Sequence, residues 1–382
     1  MHSNPEAIAA QETYLRDLVK HTNPYTGLAY KDDPSIVGFE INNEPCHSGT
    51  KEEVKAYINR MLKSMSKAGN RKPVFYNVSH NGYVAEAYYE TTVQGTTYQW
   101  YPIGLVSRQT QQGNFLPYVD RYDIPFAGKV KEFNKKARMI YEFDPADIMY
   151  SYMYPAMVRT FRTAGFQWIT QFAYDPIDLA FANTEYQTHF LNLAYTPNKA
   201  ISMKIAAEAA RSLKRGESYG SYPQDTIFGN GFRVSYAEDL SELNNGEKFY
   251  YSNQTNTPPK DASKLVSIAG CGSSPIVDYE GTGAYFIDCL ESGVWRLEVM
   301  PDAVVVNDPF AKPSLKKEVV SIIYLGYGIT NSGFGQSVYS HSSRQEERPE
   351  RRNSDEWSDL RPSSGGLPVE TKRLYPATEL ES

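Results

Sequence analysis

The stretch IVGFEINNEP, Ile36–Pro45, begins as an apolar strand and ends on an amide, a carboxylate and a proline. A strand is predicted over Ile36–Asn43. Its apolar part suits a parallel sheet covered by helices, where both faces are buried. A buried strand that stops on Asn43 and Glu44 then presents polar groups at its C-terminal tip. In a (β/α)8 barrel that tip is where the active site is built. Glu40 has the same inward parity as Glu44 but lies deeper, and it reads as a buried carboxylate with its hydrogen bonds satisfied.

The flanking sequence repeats the pattern. Asn4 and Pro5 are the cap and first residue of an N-terminal helix. After Pro45, Thr50 and Glu53 make a capping box before the apolar stripe Val54, Tyr57, Ile58, Met61, Leu62 and Met65. Gly69 is its stop. The next strands are KPVFYNVSH, TTVQGTTYQWYP, ARMIYEFD and FQWITQFAYDP. Between them lie a short helix over Val84–Glu90 and a longer one over DIMYSYMYPAMVRTFRTAG, ending at Gly165. The last helix has Thr196 as cap, Pro197 at its start and Gly216 as stop. Alternating strands and helices imply parallel βαβ units. An open doubly wound sheet and a barrel both fit that alternation. No Gly-rich phosphate loop follows any strand, which counts against a nucleotide-binding open sheet.

From Tyr222 the pattern changes to short strands with turn-rich joints: GFRVSYAED, KFYYSNQT, SPIVDYEG, AYFIDCL and VWRLEVMP. The expected unit is an antiparallel β-domain built as a small sandwich, packed beside the last helix and contributing no catalytic group. After Gly326 the core pattern fades into a charged, Ser-rich tail that reads as disordered. The expected organisation is a partial (β/α)8 barrel, strands 4–8, over residues 1–216. The β-domain follows over 222–325 and the tail over 326–382.

Composition narrows the function. A net charge of −6 without a basic block argues against nucleic acid as partner. No apolar run is long enough to span a bilayer. Thirty tyrosines among 382 residues give many apolar rings with a polar edge. Such rings suit sugars, and they equally suit ordinary sheet packing. Three cysteines, Cys46, Cys271 and Cys289, form neither a disulfide scaffold nor a metal motif. Cys271 and Cys289 are either a pair in an exported chain or two buried thiols. Six histidines in no ligand spacing argue against a metal-dependent hydrolase.

A second carboxylate, Glu142, ends ARMIYEFD. Two carboxylates on facing strand tips are what a retaining glycosidase needs, one as acid/base and one as nucleophile, about 5–5.5 Å apart. Asn43-Glu44-Pro45, then Gln99-Trp100-Tyr101-Pro102, then Glu142 stand in one order along the chain. That order resembles the clan A glycoside hydrolases, most broadly the family 5 cellulase and mannanase-like members; a galactosidase-type clan A family is an alternative. The resemblance covers residues 1–215 and implies Glu44 as acid/base and Glu142 as nucleophile. It also implies that Asn43 binds the substrate 2-hydroxyl and that Tyr101 hydrogen-bonds Glu142. Gln99 departs from the family, which usually has His there. Trp168 sits deep for the strand 8 platform, leaving Phe172 and Tyr174 as candidates. His80 and Asn81 either line a sugar subsite or form a loop turn, and Asp175 and Asp178 are rim candidates. Spacing gives separate support. Three strand–helix units separate Glu44 from Glu142, roughly 33 residues each, near the ~31 of an eight-unit barrel of ~250 residues.

The same arithmetic leaves strands 1–3 unaccounted for, roughly 90 residues. The chain therefore reads as the C-terminal part of a longer enzyme that is secreted or periplasmic, with no signal peptide of its own. The expected activity of that longer enzyme is retaining hydrolysis of β-glycosides in plant or algal oligo- or polysaccharides, without a cofactor, and this chain alone is expected to be a poor enzyme. A non-catalytic carbohydrate-binding protein on a decayed barrel is the rival. Such a module has no need for two glutamates on opposite tips.

Overall fold

The computed structural model describes residues 4–79, 82–120, 122–124, 126–127, 130–177, 189 and 191–303, with the backbone of 372–373. Local sequence signals set its first elements. Asn4 Oδ1 accepts from the amides of Glu6 and Ala7, starting α1 (Pro5–Lys20). Thr50 and Glu53 exchange both capping-box bonds and start α2 (Lys51–Lys67). Each cap satisfies amides that the first helical turn leaves without partners. Gly69 and Gly165 both have positive φ, as residues that end a helix in the left-handed region do.

Five strands form one parallel sheet in sequential order: β1 (Phe39–Glu40), β2 (Val74–Asn77), β3 (Gly95–Trp100), β4 (Ala137–Phe143) and β5 (Trp168–Ile169). Helix α3 (Ala85–Tyr89) lies between β2 and β3, and α4 (Leu116–Val119) between β3 and β4. Helix α5 (Tyr154–Thr163) lies between β4 and β5, and α6 (Pro197–Ser212) follows β5. The first predicted strand shrinks to two residues, because past Ile41 the chain turns to place Glu44 at φ 44°. The helix predicted from Asp147 starts only at Tyr154. Pro155 is the reason: a proline inside a helix clashes with the carbonyl four residues back, so it is accepted in the first turn.

The sheet is concave on one face. Thr97 on β3 donates to Glu40 on β1 across the intervening β2. Strands two apart are separated by roughly 9.6 Å in a flat sheet, and side chains stand nearly perpendicular to it. Two that meet across a strand need a face curled toward them. The other face carries the helices, with Tyr98 edge-on to Phe166 and Phe143 edge-on to Phe161. The arrangement is that of an open, partial barrel-like sheet, and among the described residues β1 and β5 are its edges.

The second sheet has eight strands in the order β13-β12-β11-β10-β9-β8-β7-β6. They are β6 (Ile227–Phe228), β7 (Phe232–Ser235), β8 (Leu240–Asn244), β9 (Lys248–Tyr251), β10 (Ser267–Gly270), β11 (Tyr285–Glu291), β12 (Val294–Val299) and β13 (Lys372–Arg373). Two corrections to the sequence reading follow. The sheet is mixed, because β9 and β10 run parallel. Parallel neighbours need a long crossover, which Ser252–Val266 supplies. Among the described residues it is also one sheet, with no second sheet packed on it. One face packs on α6 through Leu243, Tyr250 and Ala269. The opposite face is covered by the sheet's own loops through Leu265, Ile276, Val277 and Tyr279. SPIVDYEG supplies that cover and makes only a single bridge, Ser274 to Val277. Apart from Lys372–Arg373, the predicted tail lies outside the described residues.

Polar bonds tie the second sheet to the loop before α5 and to α6. Ser151 donates its amide to Asp239 Oδ1 at 2.6 Å, and Ser241 Oγ donates to the Ser151 carbonyl at 2.7 Å. Lys248 pairs with Glu208 of α6 at 2.9 Å. The three cysteines form no disulfide with one another, Cys271 being buried and Cys46 exposed.

Gly231 shows how tightly the second sheet closes. Its φ is +87°, and an added Cβ would sit 2.1 Å from the Asn244 carbonyl oxygen. Gly231→Ala is expected to cost about 2–3 kcal/mol from strain and overlap together, read as a lower denaturant midpoint at unchanged slope.

Candidate active site

The concave face gathers the acids. Glu40 lies on β1 and Glu44 four residues on, past the strand end. Thr97 and Gln99 stand on β3, and Glu142 on β4 level with Gln99 in the strand register. The register between β3 and β4 skips one residue: Tyr98 faces Ile140 and Gln99 faces Glu142. Tyr141 is the extra residue of this bulge. A bulge re-aims side chains. Here Ile140 and Phe143 stay in the helix-side core, while the Tyr141 hydroxyl turns to Gln99 Oε1 at 3.3 Å.

Each glutamate has a neutral donor. Gln99 Nε2 donates to Glu44 Oε1, and also reaches Ser79 Oγ at 3.0 Å. The Tyr101 hydroxyl donates to Glu142 Oε1. Gln99 thus carries a bond to one glutamate while its backbone lies beside the other. Burial and the adjoining Glu142 carboxylate hold the Tyr101 phenol well above its ordinary range. Tyr141 is raised in the same way by burial, then by Glu142, with smaller contributions from Glu40 and Glu44. Phenols held this way keep their protons and serve as fixed donors.

Asn77 pins the backbone that carries Glu44. It is fully buried at the end of β2. Its Oδ1 accepts from the Glu44 amide at 3.1 Å, and its Nδ2 donates to Thr97 Oγ1 at 3.1 Å and to Gln99 Oε1 at 3.4 Å. That clamp holds Glu44 at a positive φ, a conformation that costs a non-glycine residue roughly 1–2 kcal/mol.

Glu40 is the deep third acid. Burial first, and Glu142 to a lesser degree, push its carboxyl up to about 7 against the Thr97 bond. The folded state therefore binds a proton that the unfolded chain, near the ordinary 4.5, has lost. Stability contributed at low pH then declines as pH rises from about 4.5 through 7. Glu40→Gln, which keeps an uncharged side chain of similar shape, is expected to gain on wild type in melting temperature at pH 8. At pH 4 the difference should be small. A gap independent of pH would show that Glu40 ionises normally.

The other predicted positions scatter. Asn43 is exposed at the rim beside Glu44. Phe172 follows β5, its amide bonded to the Phe143 carbonyl at 3.1 Å, so it lies near the Glu142 level. The Tyr174 ring is half exposed, its hydroxyl accepting from the Leu193 amide at 3.1 Å. Trp168 pairs with Met139, below the strand tips, and its indole donates to Thr170 Oγ1 at 2.6 Å on the open edge. His80, Asn81 and Asp178 lie outside the described residues. Asp175 is buried. Sequence reasoning missed Asn77, Tyr141, Asp144 and His189. Asn77 left a signal, a buried amide at the end of the strand VFYN. Among the described residues, no group of three or more His, Cys, Asp or Glu stands ready for a metal ion, and no helix is long and apolar enough to cross a membrane.

No known family profile matches the chain. None of the curated proteins matches it. Among solved structures, the endo-1,4-beta-mannanase from Rhizomucor miehei is similar at 18% identity and a TM-score of 0.41. The match covers 55% of this chain and 63% of that one. The endo-beta-1,4-mannanase from Thermotoga petrophila is similar at 13% identity and a TM-score of 0.41, over 79% of this chain and 72% of that one. A glucosidase from Croceicoccus marinus is similar at 8% identity and a TM-score of 0.36, over 86% and 61%. The chain spans less than two thirds of the Rhizomucor mannanase it matches.

Proposed function

We propose that the concave face is the active site of a retaining β-glycoside hydrolase on a partial (β/α)8 barrel of the clan A type. Glu44 acts as acid/base, Glu142 as nucleophile, and the sheet over Ile227–Val299 is accessory. The observation that carries this reading is the paired donors. Gln99 holds Glu44 and Tyr101 holds Glu142, on one concave face at the C-terminal ends of parallel strands. Double displacement needs two carboxylates fixed on opposite sides of one glycosidic bond. Glu142 attacks the anomeric carbon as Glu44 gives its proton to the leaving oxygen. Glu44 then takes a proton from the water that releases the sugar. The substrate is an oligo- or polysaccharide, with Asn43 positioned for the sugar 2-hydroxyl and Phe172 and Tyr174 for ring faces.

The test is covalent trapping. A panel of 2-deoxy-2-fluoro β-glycosides with an activated leaving group, in the gluco, manno and galacto series, is incubated with the protein. Peptide mass spectrometry should find the sugar on Glu142. A label on another residue sinks the assignment.

A further inference from the structure

Behind Tyr101 lies a buried aspartate–histidine pair that the hydrolytic reading does not use. Asp144 follows Glu142 by two residues on the same chain and has no solvent exposure. Its Oδ1 accepts from the Tyr154 hydroxyl at 2.7 Å and from Gln171 Nε2 at 3.2 Å. Its Oδ2 lies 3.0 Å from Nδ1 of His189, itself buried. A carboxylate oxygen accepts, so Nδ1 carries the proton and donates. That bond fixes the ring plane of His189. The imidazole then packs between two rings of the site, 5.5 Å from Tyr101 and 5.1 Å edge-on to Phe172.

We propose that Asp144 and His189 are positioning residues that lock the Tyr101 ring, and through its hydroxyl the Glu142 carboxylate, for attack on the sugar. The inference rests on the glycosidase reading for its consequence, and on the packing alone for the coupling. Four side chains form one line from core to cleft: Asp144 orients His189, His189 braces Tyr101, and Tyr101 holds one oxygen of Glu142. The physical need is clear. A phenol can swing about its side-chain torsions, and a hydrogen bond to a nucleophile helps only in one orientation. A ring braced by a hydrogen-bonded imidazole loses that freedom before substrate arrives, which is preorganisation. Buried carboxylates are costly unless their hydrogen bonds are met. Placing Asp144 two residues from the nucleophile therefore suits a supporting role that three donors stabilise.

The experiment compares wild type with His189→Gln, Asp144→Asn, Tyr101→Phe and the double variant His189→Gln/Tyr101→Phe. The first readout is hydrolysis of aryl β-glycosides. His189→Gln is expected to lower kcat about tenfold with KM within twofold, and the double variant to be no slower than Tyr101→Phe, since both changes break the same line. Multiplicative losses in the double variant, or a KM effect without kcat, overturn the proposal. The second readout needs no activity. With tyrosine labelled by 13C at Cζ, the resonance absent from Tyr101→Phe identifies Tyr101. It should move in His189→Gln and in any folded Asp144→Asn. A resonance that stays in place overturns the coupling whatever the hydrolysis shows. An inactive wild type with a shifted resonance fails the glycosidase reading and supports the coupling alone.

Discussion

Replacing Glu142 with Gln is expected to lower hydrolysis of aryl β-glycosides by at least about four orders of magnitude, the scale seen when a covalent nucleophile is removed. Gln keeps the length of the side chain and can still accept from Tyr101, so the local structure should survive. It cannot form the glycosyl ester. The control is Glu142→Ala, which opens space beside Tyr101 for a small anion. Azide should restore part of the rate and give a glycosyl azide of inverted anomeric configuration. A Glu142→Gln protein that keeps more than a few per cent of the activity would remove Glu142 as nucleophile. Folding is checked by an unchanged melting temperature. The lost rate then belongs to chemistry rather than to the sheet.

Arg159→Met should give the largest loss of stability. Arg159 is 1% exposed on α5. Its Nη2 forks onto both oxygens of Asp120 at 2.8 and 3.0 Å, and its Nη1 donates to the Asp225 carbonyl before β6. The guanidinium also lies 4.7 Å over the Phe228 ring. It therefore ties two separate pieces of chain, at Asp120 and at Asp225–Phe228, to one helix. Removing it leaves Asp120 beside the core without its cation. Breaking one partner of a buried pair costs about 3–5 kcal/mol. Chemical denaturation of Arg159→Met should show that loss, and Asp120→Asn added to it should return part. Additive losses in the double variant would mean the two groups do not act as a pair.

The split between what could be read early and what could not follows the range of the interactions. Asn4, Thr50 and Glu53 form their bonds within three residues, so the helix starts were legible from the string itself. The apolar stripe of α2 was legible for the same reason, since Val54, Tyr57, Ile58, Met61 and Met65 recur at helical spacing. The apolar pattern from Asp147 predicts a start seven residues before that of α5, because periodicity does not register that Pro155 is accepted only in a first turn. The mixed second sheet was missed because pairing direction depends on the crossover path between β9 and β10, not on either strand's residues.

The sequence by itself determined the alternation of strands and helices, the caps that open α1 and α2, and the order in which the acid-tipped segments follow one another; Thr196 makes no capping bond at α6. Those are properties of neighbours along the chain. Tertiary structure alone decided which groups meet. The bulge at Tyr141 depends on the register between β3 and β4. The Thr97–Glu40 bond depends on curvature across β2. Asn77 under Glu44, and His189 against Tyr101, join residues far apart in sequence. No local pattern encodes such contacts, because each is fixed by how the whole sheet curls and by what its helices press against.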